Sequence, residues 1–138
     1  MQTDNVSLFK SSRAISPGAI TAGDATLTSQ IIDRAGYESL EFLFLSGTIT
    51  DSTFTITLYE SDDSGMSGET AVAAGDLLGL SGAATFTFVA AGDDLVKKVG
   101  YKGTKRYVRA KAVQTGATTG GYLCAVALQH APRFAPVA

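Results

Sequence analysis

Strict alternation of apolar and polar side chains is the feature of this chain that most restricts its fold. Residues 53–59 have the sequence Thr-Phe-Thr-Ile-Thr-Leu-Tyr, and residues 85–89 repeat the pattern as Thr-Phe-Thr-Phe-Val. A period of two places successive side chains on opposite faces of a strand, so the apolar residues share one face and the β-branched threonines the other. The pattern predicts half-buried antiparallel strands, because strands of parallel sheets are apolar on both faces.

Other segments are also predicted as strands, although residues 94–99 fit one helical turn as well. They are residues 6–10, 25–33, 39–45, 94–99, 106–113 and 121–129. The run from Leu40 to Leu45 is apolar on both faces apart from Glu41, which predicts a central strand covered on two sides. The Gly- and Thr-rich join before residue 121 predicts a hairpin. These short strands, with no helical periodicity among them, predict an all-β fold: an antiparallel β-sandwich with jelly-roll-like winding.

A single domain over residues 1–138 fits the length, and 45% hydrophobic residues suffice for a core. Residues 1–18 are predicted to form an extended N-terminal arm, and residues 130–138, with two prolines, a C-terminal arm. This tail is either a frayed terminus or a segment that docks Phe134 and Val137 onto a neighbouring subunit. The polar, Gly-rich stretch that begins at Ser61 predicts a surface connection.

Composition excludes several classes of protein. The one cysteine, Cys124, cannot form an internal disulfide, and its alternation with Tyr122, Val126 and Leu128 predicts a core position. The longest apolar stretch, residues 77–92, is too short and too interrupted for a membrane helix, and the N-terminus lacks the pattern of a secretory signal, so we expect a soluble protein. The net charge of −2 argues against nucleic-acid binding.

The charges are distributed unevenly along the sequence. The first 94 residues contain three basic and 13 acidic residues, a net charge of −10, whereas residues 95–138 contain eight basic and no acidic residues, a net charge of +8. Three interpretations are open: interleaved strands that mix the signs on the folded surface, a polar molecule suited to head-to-tail assembly, and a basic patch for nucleic acid in which Tyr101 and Tyr107 stack on bases.

Candidate catalytic and metal-binding residues are few. His130 is the one imidazole and stands at the start of the predicted C-terminal arm, where no nucleophile or orienting group is identifiable. Asp62, Asp63 and Glu69 could gather oxygen ligands for Ca²⁺, but their spacing does not match an EF-hand loop, and solvated loop acids explain them equally well. We therefore expect neither an enzyme nor a cofactor.

Several segments together resemble small structural proteins of tailed bacteriophages, which are encoded near the major capsid protein and classed as head decoration or cement proteins. The resemblance covers residues 30–135. It is carried by Ile-Asp-Arg-Ala-Gly-Tyr-Glu-Ser-Leu-Glu-Phe at 32–42, Leu-Tyr-Glu-Ser-Asp-Asp at 58–63, Gly-Thr-Lys-Arg-Tyr-Val-Arg at 103–109 and the closing segment 120–133.

This resemblance implies a non-enzymatic protein that decorates the outer surface of the capsid shell, after a soluble stage in the host cytoplasm. Its expected partners are the major capsid protein and further copies of itself, as a homotrimer, with no membrane contact. The contacts are expected from the two arms and the basic strands: Phe9, Lys97, Lys98, Lys105, Arg106, Arg133 and Phe134.

Two alternatives remain open at this stage. One is a neck, tail or head-fibre component of the virion with the same fold. The other is a carbohydrate-binding β-sandwich module, which stacks sugars on exposed aromatic rings; tryptophan is absent, so the five tyrosines, Tyr37, Tyr59, Tyr101, Tyr107 and Tyr122, would have to provide those rings.

Overall fold

The computed structural model describes residues 6–20 and 23–133, which form two antiparallel sheets packed face to face. Two short 3₁₀ helices, Val6–Leu8 and Ala74–Asp76, accompany twelve strands. In chain order the strands are β1 (Phe9–Ile15), β2 (Ala19–Ile20), β3 (Thr26–Thr28), β4 (Ile32–Asp33), β5 (Tyr37–Ile49), β6 (Thr53–Ser61), β7 (Thr70–Ala71), β8 (Leu77–Leu78), β9 (Thr85–Val89), β10 (Val96–Tyr101), β11 (Tyr107–Thr115) and β12 (Gly121–Pro132).

The order of the strands confirms the predicted jelly-roll winding. Sheet A has the order β1-β12-β5-β10-β8, with β2 beside the start of β12. Sheet B has the order β3-β11-β6-β7, with β4 beside β11 and β9 beside β6. From β9 onward each strand lies in the opposite sheet from the one before it, as in a double-sheet jelly roll. Consequently β11 and β12 do not form the predicted hairpin, and their connection crosses from sheet B to sheet A.

Large side chains from both sheets meet in the core. Phe42 and Phe44 of β5 are fully buried opposite Phe54 and Ile56 of β6. The ring of Phe86, from β9, packs edge-on to Phe44 with centroids 5.3 Å apart. The side chains of β6 and β9 therefore face as predicted: aromatic and aliphatic residues point into the core and threonines point to the outside.

The predicted N-terminal arm is largely a strand. Within residues 1–18, β1 pairs antiparallel with β12, from Phe9 opposite His130 to Ile15 opposite Ala125. Ala14 and Ile15 are buried in the core, which explains why this segment joins the sheet although its first half is polar. The predicted C-terminal arm likewise begins inside β12, which continues to Pro132 at the edge of its pairing with β5.

The connection after Ser61 is more firmly anchored than its polar composition indicates. The Asp63 carboxylate accepts hydrogen bonds from the amides of Gly65 and Ser67, at 2.9 and 3.1 Å. Met66 takes a left-handed backbone conformation, with φ of 62°, and is buried. The predicted surface connection thus buries one side chain of its own at Met66, and Val72 further along it belongs to the core between the sheets.

Candidate functional site

Five of the eight basic residues after residue 94 pair with acidic residues from earlier strands and loops, and His130 contacts a carboxylate as well. The pairs are Arg106–Asp33, Arg133–Glu38, His130–Glu41, Lys105–Asp62, and Arg109 and Lys111 with Glu69. Neighbouring strands in a jelly roll come from distant parts of the chain, so the winding itself brings opposite charges together. Of the three interpretations of the charge distribution, the structure supports the mixing of signs on the folded surface.

Glu69 is the most strongly stabilised of these carboxylates. It accepts hydrogen bonds from Arg109 Nε, at 2.6 Å, and from Lys111 Nζ, and all three side chains are largely buried. The hydrogen bond from Arg109, with a further one from Lys111, lowers the pKa of Glu69 to about 2. This acid therefore fastens the loop before β7 to the outer side of β11, and its role is structural rather than that of a Ca²⁺ ligand.

A buried tyrosine joins the two sheets at the end of the sandwich where β12 terminates. The Tyr101 hydroxyl donates a hydrogen bond to the Glu60 carboxylate and accepts one from the Lys105 amide at 3.0 Å. The Arg34 guanidinium lies 4.7 Å from the centre of the Tyr101 ring and donates to the carbonyls of Gly103 and Lys105. Burial, together with the Glu60 hydrogen bond, raises the pKa of Tyr101, so the phenol stays protonated.

Gly103 is required beside that tyrosine. A Cβ at this position would lie 2.5 Å from the Tyr101 hydroxyl oxygen and 2.6 Å from its ring. We expect Gly103→Ala to lower the free energy of unfolding by about 1–3 kcal/mol, because the buried ring has to shift against its partners. Urea titration followed by circular dichroism measures the effect. Gly75→Ala is the control, since a Cβ there meets no atom within 4 Å, and equal losses in both variants would contradict this interpretation.

Two grooves flank the end of β12, and we call this region the β12 end. One groove, of about 510 Å³, is lined by residues around the start of β1 and the end of β12: Leu8, Phe9, His130, Ala131 and Pro132. The other, of about 270 Å³, is polar and lies between Arg34, Lys105, Arg106 and Arg133. The Phe9 and His130 rings are 5.6 Å apart, and His130 Nε2 lies 3.1 Å from Glu41 Oε1.

The structure brings together four of the seven predicted contact residues at the β12 end. Phe9 lines the apolar groove, and Lys105, Arg106 and Arg133 line the polar one. Arg106 forms a bidentate ion pair with Asp33, at 2.9 Å for both contacts, and hydrogen bonding to Arg106 lowers the pKa of Asp33. These guanidinium groups are exposed, so they remain accessible to a partner.

The other three predicted contact residues lie elsewhere. Lys97 points toward the sandwich, where its Nζ lies 4.9 Å from the centre of the Phe88 ring and donates to the Thr87 carbonyl. Lys98 is exposed on the outer side of β10, in register with Leu43. Phe134 and Val137 are outside the described residues.

The outer side of sheet A carries a second surface, which the sequence analysis did not identify. We call it the apolar face, and its members share an outward position on β5, β8, β10 or β12: Leu43, Leu45, Leu78, Val96, Tyr122, Cys124, Val126 and Leu128. Val96, Leu78, Tyr122 and Leu45 have exposed fractions of 61%, 53%, 53% and 37%. The prediction that β5 is covered on both sides is therefore wrong, because no second layer lies over Leu43 and Leu45 among the described residues.

Cys124 belongs to this apolar face and not to the core. It lies opposite Leu45 on the outer side of β12, while Leu123, Ala125 and Ala127 face inward. The predicted grouping with Tyr122, Val126 and Leu128 is right, but the predicted burial is wrong. Both faces of β12 are apolar, so alternation alone cannot distinguish the inner face from the outer one.

The outer side of sheet B is different in character. It presents threonines on β6 and β9 and the residues Tyr107, Arg109, Lys111 and Val113 on β11. Lys111 lies over the Tyr59 ring at 4.5 Å and Arg106 over the Tyr107 ring at 5.0 Å. Cations therefore already occupy one face of each of these half-buried rings, on which a sugar would have to stack.

Two further searches bear on the site. Within residues 6–20 and 23–133, no group of three or more His, Cys, Asp or Glu side chains could hold a metal ion. Over the same ranges, no helix has the length and apolar character needed to cross a membrane.

Comparison with known proteins identifies the fold. No protein-family model matches the chain, and no curated protein matches it. Among solved structures, the PBSX exported protein XepA superposes with a TM-score of 0.58 at 13% identity, over 94% of this chain and 39% of that one. The chain shares its β-sandwich fold with XepA. It spans about two fifths of that protein.

Two other solved structures align less closely. A chain in the structure of infectious bursal disease virus Gx strain gives a TM-score of 0.45 at 13% identity, covering 93% of this chain and 35% of its own length. A carbohydrate-binding module of the β-sandwich superfamily gives 0.40 at 6% identity, covering 91% of this chain and 56% of the module's chain.

Proposed function

We propose that this chain is a non-catalytic structural protein of a tailed-phage virion, which decorates and stabilises the capsid shell by binding the major capsid protein as a homo-oligomer. The observation that carries the proposal is the β12 end, where Phe9, Lys105, Arg106 and Arg133 lie around two adjacent grooves. A surface that combines an apolar groove with neighbouring guanidinium groups suits a protein partner, since aromatic residues and arginines dominate protein interfaces.

The arginines at the β12 end can exchange their carboxylate partners with little change in the free energy of unfolding. The side chains of Arg133 and Glu38 are 64% and 59% exposed, and those of Arg106 and Asp33 are 55% and 43% exposed. Exposed ion pairs contribute about 0–1 kcal/mol each, so a carboxylate of the shell could replace Glu38 or Asp33 without destabilising the fold. The β12 end would then act as the docking surface, and a repeated lattice of sites would raise the effective concentration.

The fold and the charge pairing are consistent with this role. The PBSX exported protein XepA has the same fold, and a compact sandwich with internally paired charges is suited to a structural protein. In the proposed role the protein folds in the host cytoplasm and then attaches to the outside of the shell.

The test is binding to shells that are assembled, without this protein, from the major capsid protein of the same phage. We expect the protein to pellet with those shells at a fixed stoichiometry and to raise their melting temperature. Phe9→Asp should weaken this binding at least tenfold, because a charge in the apolar groove is costly to desolvate.

Val113→Asp provides the matched control, since Val113 is exposed on the outer side of sheet B, away from the β12 end. This variant should bind shells as the unchanged protein does. The proposal would be overturned if the unchanged protein ignored the shells, if it labelled only tails or necks in immunogold micrographs, or if glycans and not shells bound it.

A further inference from the structure

We propose that the apolar face of sheet A binds a second copy of this chain, as a two-fold symmetric pair packed face to face. The inference rests on the proposed function, in which the protein acts as a homo-oligomer. It adds to that function the surface through which two copies bind each other. It favours a dimer over the trimer that the family resemblance implies.

The two outer sides of the sandwich differ in a way that needs explanation. Leu45, Val96 and Tyr122 are exposed on sheet A, with Leu43, Val126 and Leu128 beside them. Leu78 lies at the edge of the sheet, where Gly100 and Glu41 separate it from Leu128. On sheet B, threonines and ion-paired side chains occupy most of the equivalent positions, and the exposed Val89 and Val113 lie among threonines. Contiguous exposed apolar surface on a folded protein marks an interaction site, whereas isolated apolar residues do not.

Strand register shows how a second copy would fit. Residues that lie side by side on neighbouring strands form rows across sheet A. One row consists of Arg13, Val126, Leu43 and Lys98, with two apolar residues in the middle and a cation at each end. A two-fold axis parallel to the strands would place Arg13 of one copy against Lys98 of the other. Like charges in contact oppose binding, so that pairing is disfavoured.

A two-fold axis perpendicular to the strands avoids this contact. The row next to the one through Leu43 contains Cys124, Leu45 and Val96. An axis between the two rows places Leu43 over Leu45 of the second copy and Val126 over its Cys124. The centre of the apolar face is thus complementary to itself, as an isologous interface requires. Arg13 stays at the rim, and Lys98 lies over Val96 of the second copy at the border of the face, where its aliphatic stem covers apolar surface while the ammonium reaches water.

The size of the face predicts a weak pair. The contiguous part spans β12, β5 and β10, and three strands about 4.8 Å apart with six residues at about 3.4 Å each give a patch of roughly 15 by 20 Å, or about 300 Å² in projection. Stable interfaces bury about 800 Å² of accessible surface per partner, so this face belongs to the weak class. We expect a monomer–dimer equilibrium with a dissociation constant in the range of about 10–100 µM.

The test compares a double variant of the apolar face with a matched variant of sheet B. Leu45 and Val96 lie opposite each other in register, so Leu45→Lys with Val96→Lys puts one cation at the centre of the face and a second against Lys98 of the other copy. Val113 is as exposed as Leu45, at 41% against 37%, so Val113→Lys is the control on the other sheet. Sedimentation equilibrium measures the mass, and modification by a maleimide reports on Cys124, the only cysteine in the sequence.

The unchanged protein and the Val113→Lys control should move from 14.3 kDa toward twice that mass as concentration rises, while Cys124 becomes several times slower to react. The double variant should stay monomeric, with a reaction rate independent of concentration. An unchanged protein that is monomeric at all concentrations, or a double variant that still dimerises, would overturn the inference. Because shell binding is assigned to the β12 end, a monomeric protein that still saturates shells would overturn this inference alone, and a dimer that ignores shells would overturn the proposed function alone.

Discussion

Replacing Phe44 with alanine is expected to lower the free energy of unfolding by about 3–5 kcal/mol, because removal of a fully buried ring leaves a cavity between the sheets. Phe44 packs edge-on to Phe86 across the sandwich, and the opposing strands cannot close the gap without breaking their pairing. Urea unfolding followed by circular dichroism measures the loss, in dilute solution so that the monomer is observed.

Leu45→Ala is the matched control for that substitution. Leu45 follows Phe44 directly on β5 but points to the opposite side and is 37% exposed. We expect Leu45→Ala to lower the free energy of unfolding by less than about 1 kcal/mol, since part of the leucine side chain is already in water. A loss as large as that of Phe44→Ala would mean that a further layer covers the outer side of sheet A in the monomer.

Glu69→Gln is expected to lower the free energy of unfolding by about 3 kcal/mol at neutral pH, since each pKa unit corresponds to 1.36 kcal/mol. The hydrogen bonds from Arg109 and Lys111 lower the pKa of Glu69 from 4.5 to about 2 in the folded protein. A carboxyl group whose pKa is lower in the folded state stabilises the protein above pH 4.5, and this contribution is lost as the pH falls toward 2. The difference between the unchanged protein and the variant should therefore shrink over that range.

Glu38→Gln serves as the comparison for Glu69→Gln. Glu38 also pairs with an arginine, Arg133, but both side chains are more than half exposed. We expect a loss below about 1 kcal/mol at every pH. The interpretation of Glu69 as a structural anchor fails if both variants lose equal stability, or if the loss from Glu69→Gln is independent of pH.

The sequence was sufficient to predict the class of fold, because threonine alternates with apolar residues on β6 and β9, where one face meets the core and the other meets water. The same argument failed on β5 and β12. Leu43 and Cys124 are as apolar as the inward residues beside them, and a pattern of period two assigns residues to faces without saying which face is buried. The alternation that predicted these strands therefore could not show that their outer face is also apolar.

Part of the candidate site could be predicted and part could not. Arg133 and Phe9 were expected as contacts because they lie near the ends of the sequence, and the structure places them at one end of the sandwich. The ion pairs could not be derived, since the partner of Arg106 lies 73 residues earlier and meets it only because β4 pairs with the start of β11 in sheet B. Met66 was missed because a single apolar residue in a polar loop gives no periodic signal.

The position of β12 has a consequence for biosynthesis. It is the last of the twelve strands, yet it lies between β1 and β5 and pairs with both over most of its length. A ribosome delivers it last, so until residue 132 has left the exit tunnel, sheet A consists of edges without their common neighbour. Native pairing then depends on contacts between residues far apart in the chain, which form slowly. Newly made chains should therefore expose open strand edges to aggregation until residue 132 has emerged, and should depend on chaperones over that interval.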